Sequence, residues 1–234
     1  TTEGRQSDAA ALLRATQALT LPTDLDAMLR AVCAQAALLS GATTTALLVP
    51  QADDGALRCV MASGDGAELV LGRRRRLVDR IIGRLTRTQG RLVIDDARHA
   101  ALLPPALRAH TPLRSIALQT LSAQDRLVGV LAVGHGAPRA FQPAQLQRLE
   151  QFAATAAVAL ENAQLQESLR RSEERYRTLF QNALEIVIAL DLEGRITACN
   201  RAALQFLRLS PAEVRGRALH IDEVLPAPAV AWVR

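Results

Sequence analysis

The spacing of apolar and polar positions divides the chain into helical and extended stretches. Leu12, Leu13 and Leu19, then Leu25, Met28, Leu29, Val32 and Leu38, recur at helical spacing across residues 7–40. Leu21-Pro22 splits this run in two. Thr23 is expected to cap the second helix, with Asp24 and Asp26 in its first turn, and Gly41 to stop it. Thr43 to Val49 is apolar and rich in β-branched residues. Ala56 to Ala62 alternates and is expected to place Leu57, Cys59 and Met61 on one face, with Asp53-Asp54-Gly55 as the hairpin turn between the two strands. Leu77 to Leu85 reads as a helix through Val78, Ile81, Ile82 and Leu85, and Arg91 to Ile94 as a short strand ending at Asp95-Asp96. Ala97 to His110 mixes loop and helix around Pro104-Pro105. Arg114 to Leu121 and Arg126 to Val133 form a second hairpin joined by Ser122 to Asp125, and Gly134 to Pro143 is a loop.

A long helical run follows from Phe141 to Phe180. After it Ile186, Ile188 and Leu190 alternate with Val187 and Ala189, Asp191-Leu192-Glu193-Gly194 turns, and Arg195 to Cys199 returns. Asn200 stands where a helix cap belongs. Ser210-Pro211-Ala212-Glu213 is a capping-box start, and Gly216 is expected to end that short helix. Hairpins and helices in this mixed order indicate an α+β fold with a mainly antiparallel sheet.

A heptad frame runs through the connecting helix. Val158, Leu165, Ser172 and Leu179 fall at d; Asn162, Leu169, Tyr176 and Ala183 fall at a. A buried Asn at a pairs well only with its own copy, so Asn162 would fix register in a parallel homodimer. Glu167 with Arg171 and Glu173 with Arg177 are expected to pair along the outside. Before Ala157 the apolar stripe is wide, which also suits a helix packed on its own sheet.

Composition narrows the function classes. Apolar residues make up 49% of the 234 and charged residues 22%, an ordinary globular balance, and no apolar run approaches the ~18 residues of a membrane span. All cations are Arg, because the sequence contains no Lys. A phosphate loop that needs Lys and a Schiff-base Lys are therefore excluded. Cys33, Cys59 and Cys199 lack metal-ligand spacing and read as reduced core thiols in a cytoplasmic protein. The chain has no initiator Met and no signal-peptide pattern at its start, so it is expected to be processed or cut from something longer.

The pieces Leu25 to Leu39, Leu92-Val93-Ile94-Asp95-Asp96, Leu113-Arg114-Ser115-Ile116-Ala117 and Leu127 to Val133 occur in an order that resembles a GAF domain. So does the exit through Phe141, Leu149, Phe152, Ala153, Ala156, Ala159, Leu160 and Asn162; the likeness covers roughly residues 7–165. A second resemblance is to the first half of a PAS domain. It rests on Glu174, Arg175, Tyr176, Leu179 and Phe180, on Ile188 to Asp191, on Gly194-Arg195-Ile196, and on Asn200, Ala202, Ala203, Ser210, Glu213 and Gly216. The chain stops at Arg234, before the three further strands such a module normally has, which leaves the Ile186 to Cys199 hairpin with an open edge. The expected organisation is a GAF-like sensor over 7–150, a connector helix over 151–182 and a partial PAS-like unit over 183–234.

Candidate chemistry is sparse. The histidines His99, His110, His135 and His220 are scattered, and no catalytic or metal constellation is found. Some GAF domains hold bilins through a Cys-His pair; here Cys59 is followed by Val60, so bilin attachment is not expected, and no cyclic-nucleotide signature is visible. The resemblance places any small ligand between the sheet and the helices over it. Asp95, Asp96, His99 and Ser115 would stand near the rim, with Cys59 and Met61 as wall residues. Arg73 to Arg76 form the sharpest charge run, read as a solvated loop and first helix turn. The 3% aromatic content leaves little for base stacking, so nucleic acid is not an expected partner.

These readings converge on a non-catalytic sensory and dimerisation region of a bacterial signal-transduction protein. The resemblance implies a sensor histidine kinase of a two-component system as its parent. The homodimer would form through Val158, Asn162, Leu165, Leu169, Tyr176 and Leu179. The alternatives are the sensory region of a diguanylate cyclase or phosphatase, and a bilin photoreceptor.

Overall fold

The structure is a computed structural model, and it describes residues 2–20, 24–51, 56–71, 74–75, 83–85, 87–88, 90–103 and 105–217. The expected turn at Asp53-Asp54-Gly55, the break at Leu21-Pro22-Thr23, most of the Leu77 to Leu85 helix, and His220 lie outside them. The chain divides into two compact units, Thr1–Glu167 and Ser168–Arg234.

The first unit opens with helices α1 (Thr2–Gln17) and α2 (Leu25–Ser40). Asp24 caps α2 by accepting a 2.7 Å hydrogen bond from the Ala27 N–H, the role expected of Thr23. The cap falls there because Asp24 already has extended backbone, and its carboxylate reaches the third amide of the helix. Gly41 stops the helix at φ +68°, as expected.

Among the described residues six strands form one sheet in the order β3-β2-β1-β6-β5-β4, every neighbouring pair antiparallel. They are β1 (Thr44–Pro50), β2 (Leu57–Gly64), β3 (Arg74–Arg75), β4 (Arg91–Ile94), β5 (Ser115–Ala123) and β6 (Arg126–His135). The β5–β6 turn holds Gln124 at φ +49° and Asp125 at φ +60°, the two positive values a tight primed turn requires. Arg74 and Arg75, read from the sequence as loop and first helix turn, instead form a short edge strand against Leu57 and Arg58. A strand presents no helix dipole to these cations, which removes the electrostatic cost the helical reading carried.

One face of the sheet packs on helices. Val32, Leu47, Leu121 and Leu131 belong to one buried cluster with the long helix α4 (Pro143–Asn182), which buries Leu149, Phe152, Ala153, Ala156, Ala157 and Leu160. These six positions fall at i, i+3, i+4, i+7, i+8 and i+11, so they form one stripe. Arg91 to Glu150 at 3.0 Å and Arg126 to Glu161 at 2.6 Å join α4 to β4 and to the start of β6. The opposite face carries a separate cluster of Leu57, Leu92, Ile94, Ile116, Leu118 and Val130, covered by the segments between β2 and β5. Those segments include single turns at Ala67–Leu69 and Ala97–His99 and helix α3 (Pro105–His110).

The second unit contains the end of α4, the hairpin β7 (Ile188–Leu190) and β8 (Ile196–Cys199), and helices α5 (Arg201–Leu207) and α6 (Pro211–Arg217). Both expected caps are present. Asn200 caps α5 through the Ala203 N–H at 2.9 Å, and Ser210 and Glu213 form a reciprocal box at 2.7 and 3.3 Å. Helix α6 runs through Gly216, expected as its stop, to Arg217.

Asn200 does more than cap. It is fully buried; its side-chain oxygen also accepts from the Val187 N–H at 3.0 Å, and its amide donates to the carbonyls of Ala183 at 3.3 Å and Glu185 at 2.7 Å. One side chain thus ties the segment leaving α4 to the β8–α5 junction.

Two stability outcomes follow. Phe152→Ala removes the largest side chain of the helix-face core and is expected to cost about 3–5 kcal/mol in denaturant unfolding. Asn200→Ala removes one buried and three part-buried hydrogen bonds to backbone groups and is expected to cost the second unit about 2 kcal/mol. Amide exchange resolved by residue would show it as lost protection in β7, β8 and α5, with the first unit unchanged.

Candidate functional site

On the face of the sheet away from α4 lies a cavity of about 140 Å³. Its floor comes from alternate residues of central strands: Ala46 and Leu48 of β1, Ile116 and Leu118 of β5, Val130 and Ala132 of β6. Leu57 and Cys59 of β2 form one side and Ile94 of β4 the other. Leu69, Val70, Leu103, Thr111 and Leu113, from the covering segments, form the roof.

The expectation that Cys59 and Met61 share a face is corrected by the β1–β2 register. Leu47 pairs with Met61 and Leu48 with Cys59, so Val60 is an extra residue in β2. Such a bulge breaks the two-residue alternation. Cys59 consequently lines the cavity, whereas Met61 packs with the helix-face core. The Cys59 thiol bridges the bulge, donating to the Met61 carbonyl at 3.3 Å.

The other four sequence candidates stand outside the cavity lining. Asp95 is exposed, and its carbonyl accepts from the Arg139 N–H at 2.9 Å. Ser115 is buried on the alternate face of β5, where its hydroxyl donates to the Ala137 carbonyl at 2.8 Å. Their neighbours Ile94 and Ile116 face the cavity instead. Asp96 holds Arg114 in a two-pronged ion pair, Oδ1 to Nε at 3.0 Å and Oδ2 to a terminal nitrogen at 2.6 Å. It also accepts from the Arg98 N–H at 3.1 Å and lies 3.1 Å from His99 Nδ1. Ala97 N–H adds a 2.6 Å bond to the Arg114 carbonyl. This clamp pins the Ala97–His99 turn to the start of β5 beside the cavity roof.

The polar groups around the cavity are largely committed. Thr44 Oγ1 donates to the Asp65 carbonyl at 2.8 Å, and Thr111 Oγ1 accepts from the Leu113 N–H at 3.2 Å. Of the thiols, burial pushes Cys33 up to about 11 and raises Cys199, so both stay protonated. Among the described residues no group of three His, Cys, Asp or Glu side chains is arranged to hold a metal. Sequence reasoning missed the roof, Leu103, Thr111 and Leu113, because nothing in its spacing marks it. The floor was accessible from alternation once β1, β5 and β6 were placed in register.

An antiparallel sheet with helices on one face and a cavity on the other is a fold shared with known proteins. The GAF domain family model matches residues 22–161, more than half of the chain, so the chain belongs to the GAF family. A PAS domain model matches residues 174–232, directly after it. No curated protein matches the sequence. Among solved structures, the GAF domain of a Coxiella burnetii phosphoenolpyruvate-protein phosphotransferase is similar at 15% identity and TM-score 0.60, over 69% of this chain and 96% of that one. Its Acinetobacter counterpart is similar at 17% identity and TM-score 0.56, over 67% and 94%. The chromophore-binding domain of the R. palustris bacteriophytochrome RpBphP3 is similar at 12% identity and TM-score 0.57, over 68% and 63%. At these identities the likeness is one of fold. GAF and PAS modules are sensory and regulatory, so the chain has a signalling, sensory role. Among the described residues no helix is long and apolar enough to cross a membrane.

The Asp96–Arg114 clamp has a pH signature. The Arg114 guanidinium foremost, helped by the Arg98 amide and His99, holds the Asp96 carboxyl well below the usual carboxylate range. A carboxylate depressed on folding stabilises the fold above its unfolded value, near 4, and loses that contribution as pH falls further. The stability gap between wild type and Arg114→Gln is therefore expected to be constant above about pH 5 and to shrink in more acid solution. Urea unfolding of both proteins from pH 7 to pH 2 measures it; a gap that widens in acid would contradict the clamp.

Proposed function

We propose that this chain is the sensing and dimerisation region of a cytoplasmic bacterial signal-transduction protein, with a histidine kinase of a two-component system as its output. In this reading residues 7–150 sense, residues 151–182 relay as a parallel coiled coil, and residues 183–234 form the receiving PAS-like unit. The cavity is the sensing site, with Cys59 in its wall. Asp95, Asp96, His99 and Ser115 shape its margin through the clamp and the bonds of β5 rather than by touching ligand.

One observation carries the proposal. Val158, Leu165, Leu169, Tyr176 and Leu179, each about half to two-thirds exposed in the single chain, recur at heptad spacing on α4. Val158 lies two residues, or about 200°, from the buried Leu160, so it faces away from the sheet that α4 covers. Asn162 is exposed between Val158 and Leu165 at an a position. The Tyr176 and Phe180 rings stack at 5.9 Å, and Arg170 pairs with Glu174 at 2.5 Å one turn along the same helix. A second copy of the same stripe buries all of these residues, and paired Asn162 side chains fix the register. A ligand acts on such a rod only through its different affinities for two packings of the first unit.

Asn162→Leu tests the seam. The wild type is expected to sediment as a dimer, and the variant to change oligomer state or to lose unique register. A monomer in both proteins would remove the basis of the proposal.

A further inference from the structure

We propose that the cavity is built for a small, neutral, apolar molecule about the size of one aromatic ring. This rests on reading the cavity as the sensing site and names the chemical class it takes.

The argument is one of volume and of polar groups already spoken for. The cavity measures about 140 Å³. A cavity of about 150 Å³ lined by aliphatic and aromatic side chains stays free of water and takes up benzene or xenon. Drug-sized ligands occupy roughly 300–1,000 Å³, so a tetrapyrrole or a nucleotide is too large for the space as it stands.

The lining chemistry is as restrictive as the size. Among the described lining residues none carries a charge. The Thr44 hydroxyl is bonded to the Asp65 carbonyl, the Cys59 thiol to the Met61 carbonyl, and Thr111 Oγ1 takes the Leu113 N–H. An ionised carboxylate or phosphate inside would lose its water and meet, among the described lining side chains, little beyond the Thr111 hydroxyl to donate to it. A neutral apolar molecule loses nothing of that kind and gains dispersion contacts with the apolar lining. Contact is also well placed to matter. The floor strands β1, β5 and β6 carry on their other face the core that seats α4, through Leu47, Leu121 and Leu131.

One feature competes with this class. An open hollow lined by Arg98, Arg108 and Ala109 shares Thr111 with the cavity, and Arg108 Nε is buried there with no hydrogen-bond partner. An acid with its carboxylate on those guanidinium groups and its body inside would use both spaces. The two classes separate cleanly with benzene and benzoate as probes on the full chain.

The expected result is a saturable benzene titration in methyl NMR, with shifts confined to the cavity residues Leu48, Ile116, Leu118 and Val130. Benzoate binds at least about tenfold more weakly. Ala46→Leu fills the floor and weakens benzene at least about tenfold, whereas Leu48→Ala enlarges the space and admits naphthalene, which the wild type refuses. Should Ala46→Leu fail to fold, the Leu48→Ala arm still decides. Absence of saturable benzene shifts, benzoate binding as tightly as benzene, or naphthalene entering both proteins equally would overturn the inference. The readout does not depend on oligomeric state. A monomer that takes up benzene would sink the helical seam and leave this inference standing; a dimer that ignores benzene would do the reverse.

Discussion

The seating of α4 on the sheet is the contact on which the rest of this structure depends. Leu149, Phe152, Ala153, Ala156, Ala157 and Leu160 form one buried stripe, and three of those six are alanines. They share one buried cluster with Leu47, Leu121 and Leu131 of the sheet, and Phe152 is its largest side chain. Once that stripe is fixed, the rotation of the helix within the first unit is fixed too. Val158 and Leu165, on the side of the helix away from that stripe, have to face solvent.

The same sheet explains why sensing is assigned to its other face. Helices pack on one side, whereas over the other the described covering residues form two single turns and one short helix. A cavity lies there over Ala46, Leu48, Ile116, Leu118, Val130 and Ala132. Each floor strand therefore has one face on the cavity and one on the core that holds α4. A molecule that spreads or tightens the floor changes the surface on which the helix rests. The Asp96–Arg114 ion pair fixes the Ala97–His99 turn to the start of β5, next to Ile94 and Ile116 of the cavity lining.

Much of this was legible in the sequence wherever a local rule decides. Asn200 and the Ser210–Glu213 pair were readable as caps because a cap depends only on nearby backbone. The β5–β6 hairpin and the long helix followed from periodicity. What escaped depends on contacts between distant segments. The bulge at Val60 is invisible in alternation, yet it sends Cys59 to the cavity and Met61 to the opposite core. Ser115 and Ile116 are adjacent, and only the pairing of β5 with its neighbours decides that Ile116, not Ser115, meets the cavity. Asp96 was legible as a notable acid but not as the partner of Arg114, eighteen residues later. Nor could spacing reveal that Asn200 reaches back to Ala183, Glu185 and Val187 as well as forward to Ala203.

The central claim is that α4 pairs in parallel with its own copy, so that each seam residue meets itself. Cysteine cross-linking tests this most directly, since a disulfide needs Cβ atoms within about 4.5 Å. Cys33, Cys59 and Cys199 are buried and leave the background quiet. The account predicts that Leu169→Cys, at an a position, forms an intermolecular disulfide rapidly under mild oxidation, whereas Glu174→Cys, on the outer face of the same helix, does not. Equal cross-linking at the two positions, or none at Leu169→Cys, would contradict it.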